Sequence, residues 1–196
     1  MFDSLVVQFV VLWAVIDPIG SIPVYLTKTV GISVEDRHKI ARKAVMISAG
    51  ILIFFLLAGQ ALLEAMQIPL TAFQIAGGLV LLLFALTMIF GEGKPEQEMR
   101  LSSNLNELAV YPLAVPSIAS PGAMMAIVLL TDNHRFSLFD QTMTTLIMLS
   151  VLLITYFLFL AANRIQRWIG NTGAAVISRV MGLILAAVAI NNMLVG

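Results

Sequence analysis

A chain of 196 residues that is 60% hydrophobic and 11% charged, with a mean hydropathy of +0.98, has too little charge to coat a water-soluble globule. Its 11 basic residues balance 11 acidic ones, leaving no basic surface for nucleic acid, and the absence of cysteine excludes disulfides, thiol catalysis and zinc–thiolate sites. The solvent for this fold is lipid, and one membrane domain spanning 1–196 is expected.

A hydrocarbon core takes roughly 20 apolar residues per helix. Six segments qualify, at about 5–28, 42–66, 69–90, 110–131, 137–162 and 173–195. The opening "MFDSLVV" has no basic n-region and reads as the start of the first span, not a signal peptide. Inside that span lies "VIDPIGSIP", residues 15–23, with an acid, two prolines and a glycine. Aspartate caps helix starts well, and proline is accepted at the first helical position. Asp17 and Pro18 therefore read as the start of a second half-helix, 18–28, after a first half at 5–15, with Gly20, Ser21 and Pro23 in its opening turns. Amides freed by such a break at membrane depth must face protein, water or a ligand.

Ahead of the second span, Ser33 followed by Asp36 resembles a capping box. The third span carries Gln74 before Ala76-Gly77-Gly78, a place for close backbone approach. A polar stretch, 93–107, reads as a cytoplasmic linker between two halves, 1–92 and 108–196. The fourth span repeats the interruption: in "YPLAVPSIASPGAMM", Ser120, Pro121, Gly122 and Ala123 give a cap, a proline and small residues, while Pro112 and Pro116 disturb the helix before them. Arg179 lies within the last span, either snorkelling to headgroups, lining an inner vestibule or pairing with Asp17. Gln74, Asn191 and Asn192 suit interhelical hydrogen bonds or a gate, and Glu64 a solvated span end. His38 and His134 are read as loop residues.

Three spans per half place the halves in opposite orientations. In one register "FQIAGGLVLLLFALTMI" lies over "ISRVMGLILAAVAINNM", so that Gly78 falls on Gly182, Gln74 on Ser178 and Ala85 on Ala189. The expected fold is an all-α membrane protein of six transmembrane helices in a 3+3 inverted repeat, with the first and fourth helices broken. Of the 11 lysines and arginines, all but Arg135 and Arg179 fall near the first, third and fifth loops. The positive side should be cytoplasmic, which puts both termini outside. The two restarted half-helices would aim positive dipole ends at a midplane cavity, suiting an anion, while Asp17 would hold an ammonium or carry a coupling proton or cation.

"DPIGSIPVYL" at 17–26, "FQIAGGLVLL" at 73–82, "YPLAVPSIASPGAM" at 111–124 and "SRVMGLILAAVAI" at 178–190 resemble the MarC family of six-span membrane proteins along nearly the whole chain. The resemblance implies a bacterial inner-membrane transporter of small neutral amino acids, alanine and glycine, coupled to protons or another cation. It also implies that Asp17, Pro18, Gly20 and Pro23 form one half of the site, with Pro121 and Gly122 in the other. Two positions depart from the family pattern. Ser120 stands where glycine is usual before Pro-Gly-Ala, and Gln74 where arginine often precedes Ala-Gly-Gly.

The expected substrate-binding set is thus Asp17, Pro18, Gly20, Ser21, Pro23, Ser120, Pro121, Gly122 and Ala123, with Asp17, Arg179, Gln74 and Asn191 for coupling or gating. No enzyme is expected: an intramembrane aspartyl protease needs two membrane aspartates, a serine–histidine pair needs a histidine at depth, and ligands for a metal are too few. No phosphate-binding loop and no cofactor site is present in the sequence. The competing classes are a non-transporting scaffold or regulatory subunit, and an exporter of another small metabolite. Partners reduce to a small solute and lipid, with the chain as monomer or homodimer.

Overall fold

A computed structural model describes residues 2–90, 105–133 and 135–195. Among them every regular element is helical, and proline, glycine and short polar residues decide where each helix stops. The first helix, α1 (Phe2–Ile16), is apolar throughout and ends just before the Asp17-Pro18 pair. After a turn, α2 (Ser21–Lys28) begins. α3 (Val34–Ala65) starts at Ser33, whose hydroxyl accepts the Asp36 N–H at 3.2 Å, the capping contact that the spacing predicts. Gln67, at φ +55°, leads into Pro69 and α4 (Leu70–Phe90). A single turn, α5 (Leu105–Leu108), runs into a wide-turned π-type segment, Ala109–Ile118, and then α6 (Pro121–Leu130). α7 (Leu138–Leu160) opens on a reciprocal capping box between Ser137 and Asp140. α8 (Ala162–Val195) turns at Gly170, where φ is +66°.

Among the described residues four stretches are long and apolar enough to cross a membrane, the first of them Leu5–Lys28, which runs on through the Asp17 turn, and up to six spans result if each of two bent pairs counts as one. Ala109–Ile118 and Pro121–Leu130 form such a pair, bent by 53°. The 32 residues of α3 make about 48 Å at 1.5 Å per residue, well beyond a hydrocarbon core, so one end stands clear of it.

Several expectations shift in detail. Regular helix resumes at Ser21 and not at Pro18, because residues 18–20 form a turn first. His38 is helical, an exposed residue of α3, because the Ser33 cap starts that helix five residues earlier. The last span starts at Ala175, near the expected 173, and a further helical stretch, Ala162–Gly170, precedes it across the Gly170 turn. Of the 93–107 linker, 93–104 lie outside the described residues, and 105–107 belong to α5. His134 also lies outside them.

The most extensive packing is between α4 and α8. A Cβ on Gly78 would overlap Met193 Cγ and sit 2.8 Å from the Ala189 carbonyl oxygen. A Cβ on Gly182 would sit 3.0 Å from the Ala85 carbonyl oxygen and 3.0 Å from Met88 Cβ. Both glycines are thus needed for close approach, and each faces the alanine that pairs with the other in the sequence register. Around this pair, α1 lies on α7 and α6, the Ala109–Ile118 segment lies on α3, α3 lies on α7, α6 touches α4 and α2 touches α8.

Gly78→Val should therefore lower stability by about 1–3 kcal/mol through overpacking against backbone, read as an earlier thermal transition of the detergent-solubilised protein. Gly50→Ala, where nothing lies within 4 Å of the added carbon, should leave the transition in place or raise it slightly.

Candidate functional site at two helix interruptions

The last helical bond of α1 runs from the Asp17 N–H to the Trp13 carbonyl at 2.9 Å. Asp17 then adopts φ +47°, a left-handed conformation that aspartate enters more readily than most residues. The turn after Asp17 withholds donors from the end of α1. Pro18 has no N–H to give the Ala14 carbonyl. The Gly20 N–H donates to Asp17 Oδ1 at 3.0 Å. The Val15 carbonyl accepts from outside its own helix, from the Ser120 hydroxyl at 3.0 Å. Asp17 also accepts through its backbone: its carbonyl takes the Ser21 N–H at 3.1 Å and the Ser21 hydroxyl at 3.0 Å. Asp17 is 2% exposed, so this carboxyl group sits out of reach of bulk water.

The second interruption uses the same local device. Ser120 is extended, with ψ 158°, and its Oγ accepts the Ala123 N–H at 3.0 Å, with Pro121 opening the helix. Asp17 Oδ1 and Ser120 Oγ each accept from the amide three residues on, with proline next to each, but only Ser120 caps a helix: α2 starts from Gly20 without a side-chain cap, because Asp17 closes the turn before it. Upstream, Tyr111 and Val115 are extended inside the π-type segment, because each precedes a proline and the ring disfavours helical geometry there. The Ala119 N–H closes that segment on the Ala114 carbonyl at 2.8 Å.

The two interruptions meet. Ser117 Oγ donates to Ser21 Oγ at 3.0 Å, alongside the bond from Ser120 to Val15. Ser48 of α3 joins them, its one hydroxyl proton shared between the Ala44 carbonyl at 2.9 Å and the Ala114 carbonyl at 3.3 Å. Of the residues expected at the site, Asp17, Pro18, Gly20, Ser21, Ser120, Gly122 and Ala123 are buried, Pro23 is half-buried and Pro121 is exposed. The carbonyl end of α1 and the amide ends of α2 and α6 bring both signs of partial charge to one crossing.

Three further residues lie elsewhere. Arg179 and Asn191 are exposed on α8. Gln74 is buried, but its Oε1 accepts from Arg135 Nη2 at 3.3 Å, in the loop beyond the far end of α6. The 10 residues of α6 put about 15 Å between that loop and Pro121. Arg135 also lies 3.7 Å from the carboxylate of Asp132, which is 1% exposed. Sequence reasoning missed Ser48, Ser117 and Asp132. Serine in an apolar run advertises a need for a hydrogen-bond partner, which is the signal that would have found the first two. Asp132 gave no such signal, since an acid in a short loop reads as solvated. Among the described residues no group of three or more histidine, cysteine or acidic side chains is placed to hold a metal.

A match over residues 2–196 to the MarC family of integral membrane proteins accompanies this geometry. The chain belongs to the MarC family. It is 32% identical over 194 residues to the UPF0056 membrane protein MJ1677 of Methanocaldococcus jannaschii, covering 97% of this chain and 94% of that one. It is also 32% identical over 195 residues to the UPF0056 membrane protein YvbG of Bacillus subtilis, with 97% and 92% covered. A Buchnera aphidicola UPF0056 membrane protein aligns over 100% of this chain and 93% of its own at 32% identity. No solved structure matches the chain. These relatives make it an integral membrane protein, and their names specify no cargo.

In this MarC protein Ser120→Ala removes one helix cap and one bond to the α1 carbonyl end together. The expected cost is about 1–2 kcal/mol. Hydrogen exchange should rise at the Ala123 amide, while the Ser137-capped start of α7 stays protected.

Proposed function

We propose that this chain is a secondary transporter of small neutral amino acids, alanine and glycine, working by alternating access around two broken helices in a 3+3 inverted repeat. The observation that carries the reading is the crossing itself: two interruptions next to prolines, hydrogen-bonded to each other through Ser117–Ser21 and Ser120–Val15. Such breaks at matching places in opposed halves point to a midplane site in transporters. Reciprocal seating of Gly78 against Ala189 and Gly182 against Ala85 supports the inverted repeat, because a pseudo-twofold axis between α4 and α8 requires that exchange of partners.

The chemistry fits a small zwitterion. Its ammonium suits Asp17 and the carbonyl end of α1, and its carboxylate suits the amide ends of α2 and α6. The hydroxyls of Ser21, Ser117 and Ser120 can exchange their present bonds for bonds to the solute. Little volume is free for a side chain next to Gly122, where an added carbon would sit 3.0 Å from Leu81 Cδ2. Asp17 also serves as the coupling group, taking up a proton or facing a cation as the solute binds. No bond in the solute is made or broken, so the reading is of a carrier and not an enzyme. On this reading the protein acts in the bacterial inner membrane as a monomer or homodimer, with both termini outside.

The test is uptake of radiolabelled alanine and glycine into proteoliposomes, with and without an inward proton gradient, for the parent and Asp17→Asn. Gradient-stimulated uptake in the parent, reduced at least about tenfold in the variant, is the expected result. A correctly inserted parent that moves neither solute in either direction removes the amino-acid assignment.

A further inference from the structure

The 23 residues of α7 span about 35 Å, which exhausts a hydrocarbon core, so the chain leaving Leu160 is already at the membrane surface. The first part of α8, Ala162–Gly170, reads "ANRIQRWIG". Asn163, Arg164, Gln166 and Arg167 make it too polar to lie in hydrocarbon. Ile165 and Ile169 are half-buried, and Ile165 packs against the apolar core. The other face carries Arg164 and Arg167, both exposed, and Trp168, which is 87% exposed.

Gly170 then turns the chain into the last span. Its φ of +66° is the glycine requirement, since nothing lies within 4 Å of a carbon added there. About one turn into that span, from Ala175, Arg179 is exposed as well, with a side chain long enough to reach back to the same layer. From residue 141 to residue 196 the chain has no aspartate or glutamate. On α3, Glu35 and Asp36 are taken up locally by Lys39, at 3.0 and 3.2 Å. The three arginines thus have no acidic residue within their own stretch of chain.

A short helix with an apolar inner face, an outward tryptophan and exposed guanidinium groups has the properties of an element lying in the headgroup layer. Tryptophan favours the boundary between headgroups and acyl chains, and arginine's planar fork matches phosphate oxygens. We propose that Ala162–Gly170 is a surface-lying docking helix for anionic phospholipids, with Arg164 and Arg167 on their phosphates, Arg179 reaching the same layer from the last span, and Trp168 seated at the acyl boundary. A zwitterionic surface offers the phosphate but no net charge, so the excess of guanidinium selects the anionic headgroup. The proposal rests on the membrane setting alone and is independent of what the protein carries.

The test exploits a chain with only two tryptophans, Trp13 and Trp168. In the full-length Trp13→Phe protein, Trp168 is the sole indole emitter. It is reconstituted into mixed phosphatidylcholine–phosphatidylglycerol vesicles in which one lipid or the other, at equal mole fraction, carries bromine near the top of its acyl chains. Brominated phosphatidylglycerol should quench Trp168 about twofold more than brominated phosphatidylcholine, reporting local enrichment of the anionic lipid. Arg164→Gln with Arg167→Gln should abolish that excess and keep the shared quenching, whereas Arg164→Lys with Arg167→Lys should retain most of it. Equal quenching by the two lipids in the Trp13→Phe protein overturns the headgroup preference, and no quenching by either overturns the surface placement. Should Trp13→Phe fail to fold, the parent minus Trp168→Phe gives the same comparison.

Discussion

A backbone carbonyl or amide that loses its helical partner inside a membrane has no water to turn to, and leaving it dry costs several kcal/mol. The arrangement around Asp17 answers that constraint group by group. Proline at 18 withholds one donor from the end of α1, the Gly20 amide is diverted to the Asp17 carboxyl, and the Val15 carbonyl is satisfied by a serine from the other half of the chain. An interruption of this kind cannot exist alone in lipid. It requires a second element with polar groups at the same depth, and the Ser117–Ser120 stretch supplies them. The two breaks are in this sense one structural feature, each partly completing the hydrogen bonding of the other.

The same logic explains why the two acceptors can differ, although Asp17 closes a turn from a left-handed backbone and Ser120 caps a helix from an extended one. A cap needs only an acceptor within reach of the amide three residues on, and both a carboxyl oxygen and a hydroxyl oxygen provide one at 3.0 Å. Serine caps without charge and has a proton left to donate, which Ser120 gives to Val15. Aspartate adds an acid at a depth where charge is costly, so its presence at only one of the two breaks is not explained by capping. Around that asymmetric centre, α4 and α8 approach through glycines that each face a backbone carbonyl of the other helix, a contact set by shape and independent of protonation.

How much of this was legible in the sequence depends on whether the signal was local. Asp17-Pro18 and Ser120-Pro121 announced both interruptions, because cap and proline act within one turn. The Ser33 cap was visible for the same reason. The exact restart was not: Asp17 both ends α1 in a left-handed conformation and caps the next turn, and that double role delays regular helix until Ser21. Partners far apart in sequence were out of reach. Nothing in "AVPSIASPG" says that Ser117 will find Ser21, 96 residues away, or that Ser48 will reach Ala114. Gln74 was expected to bond between helices, but its partner is a loop arginine, and pattern alone cannot say at which end of the bundle a polar residue will be used.

The strength of the bonds at the crossing bears on what it can do. Each hydroxyl bond between Ser117 and Ser21, or Ser120 and Val15, joins neutral groups and contributes about 0.5–1.5 kcal/mol net. An ion pair in the same place would be far harder to open, since separating it strands two charges in low dielectric. Neutral hydroxyls can instead trade one acceptor for another and stay satisfied throughout, provided that a polar solute or water arrives as the protein partner leaves. A crossing closed by serines therefore takes less free energy to open than one closed by an ion pair. Those are the terms on which a solute-binding site at membrane depth can open and re-form without leaving a buried polar group dry.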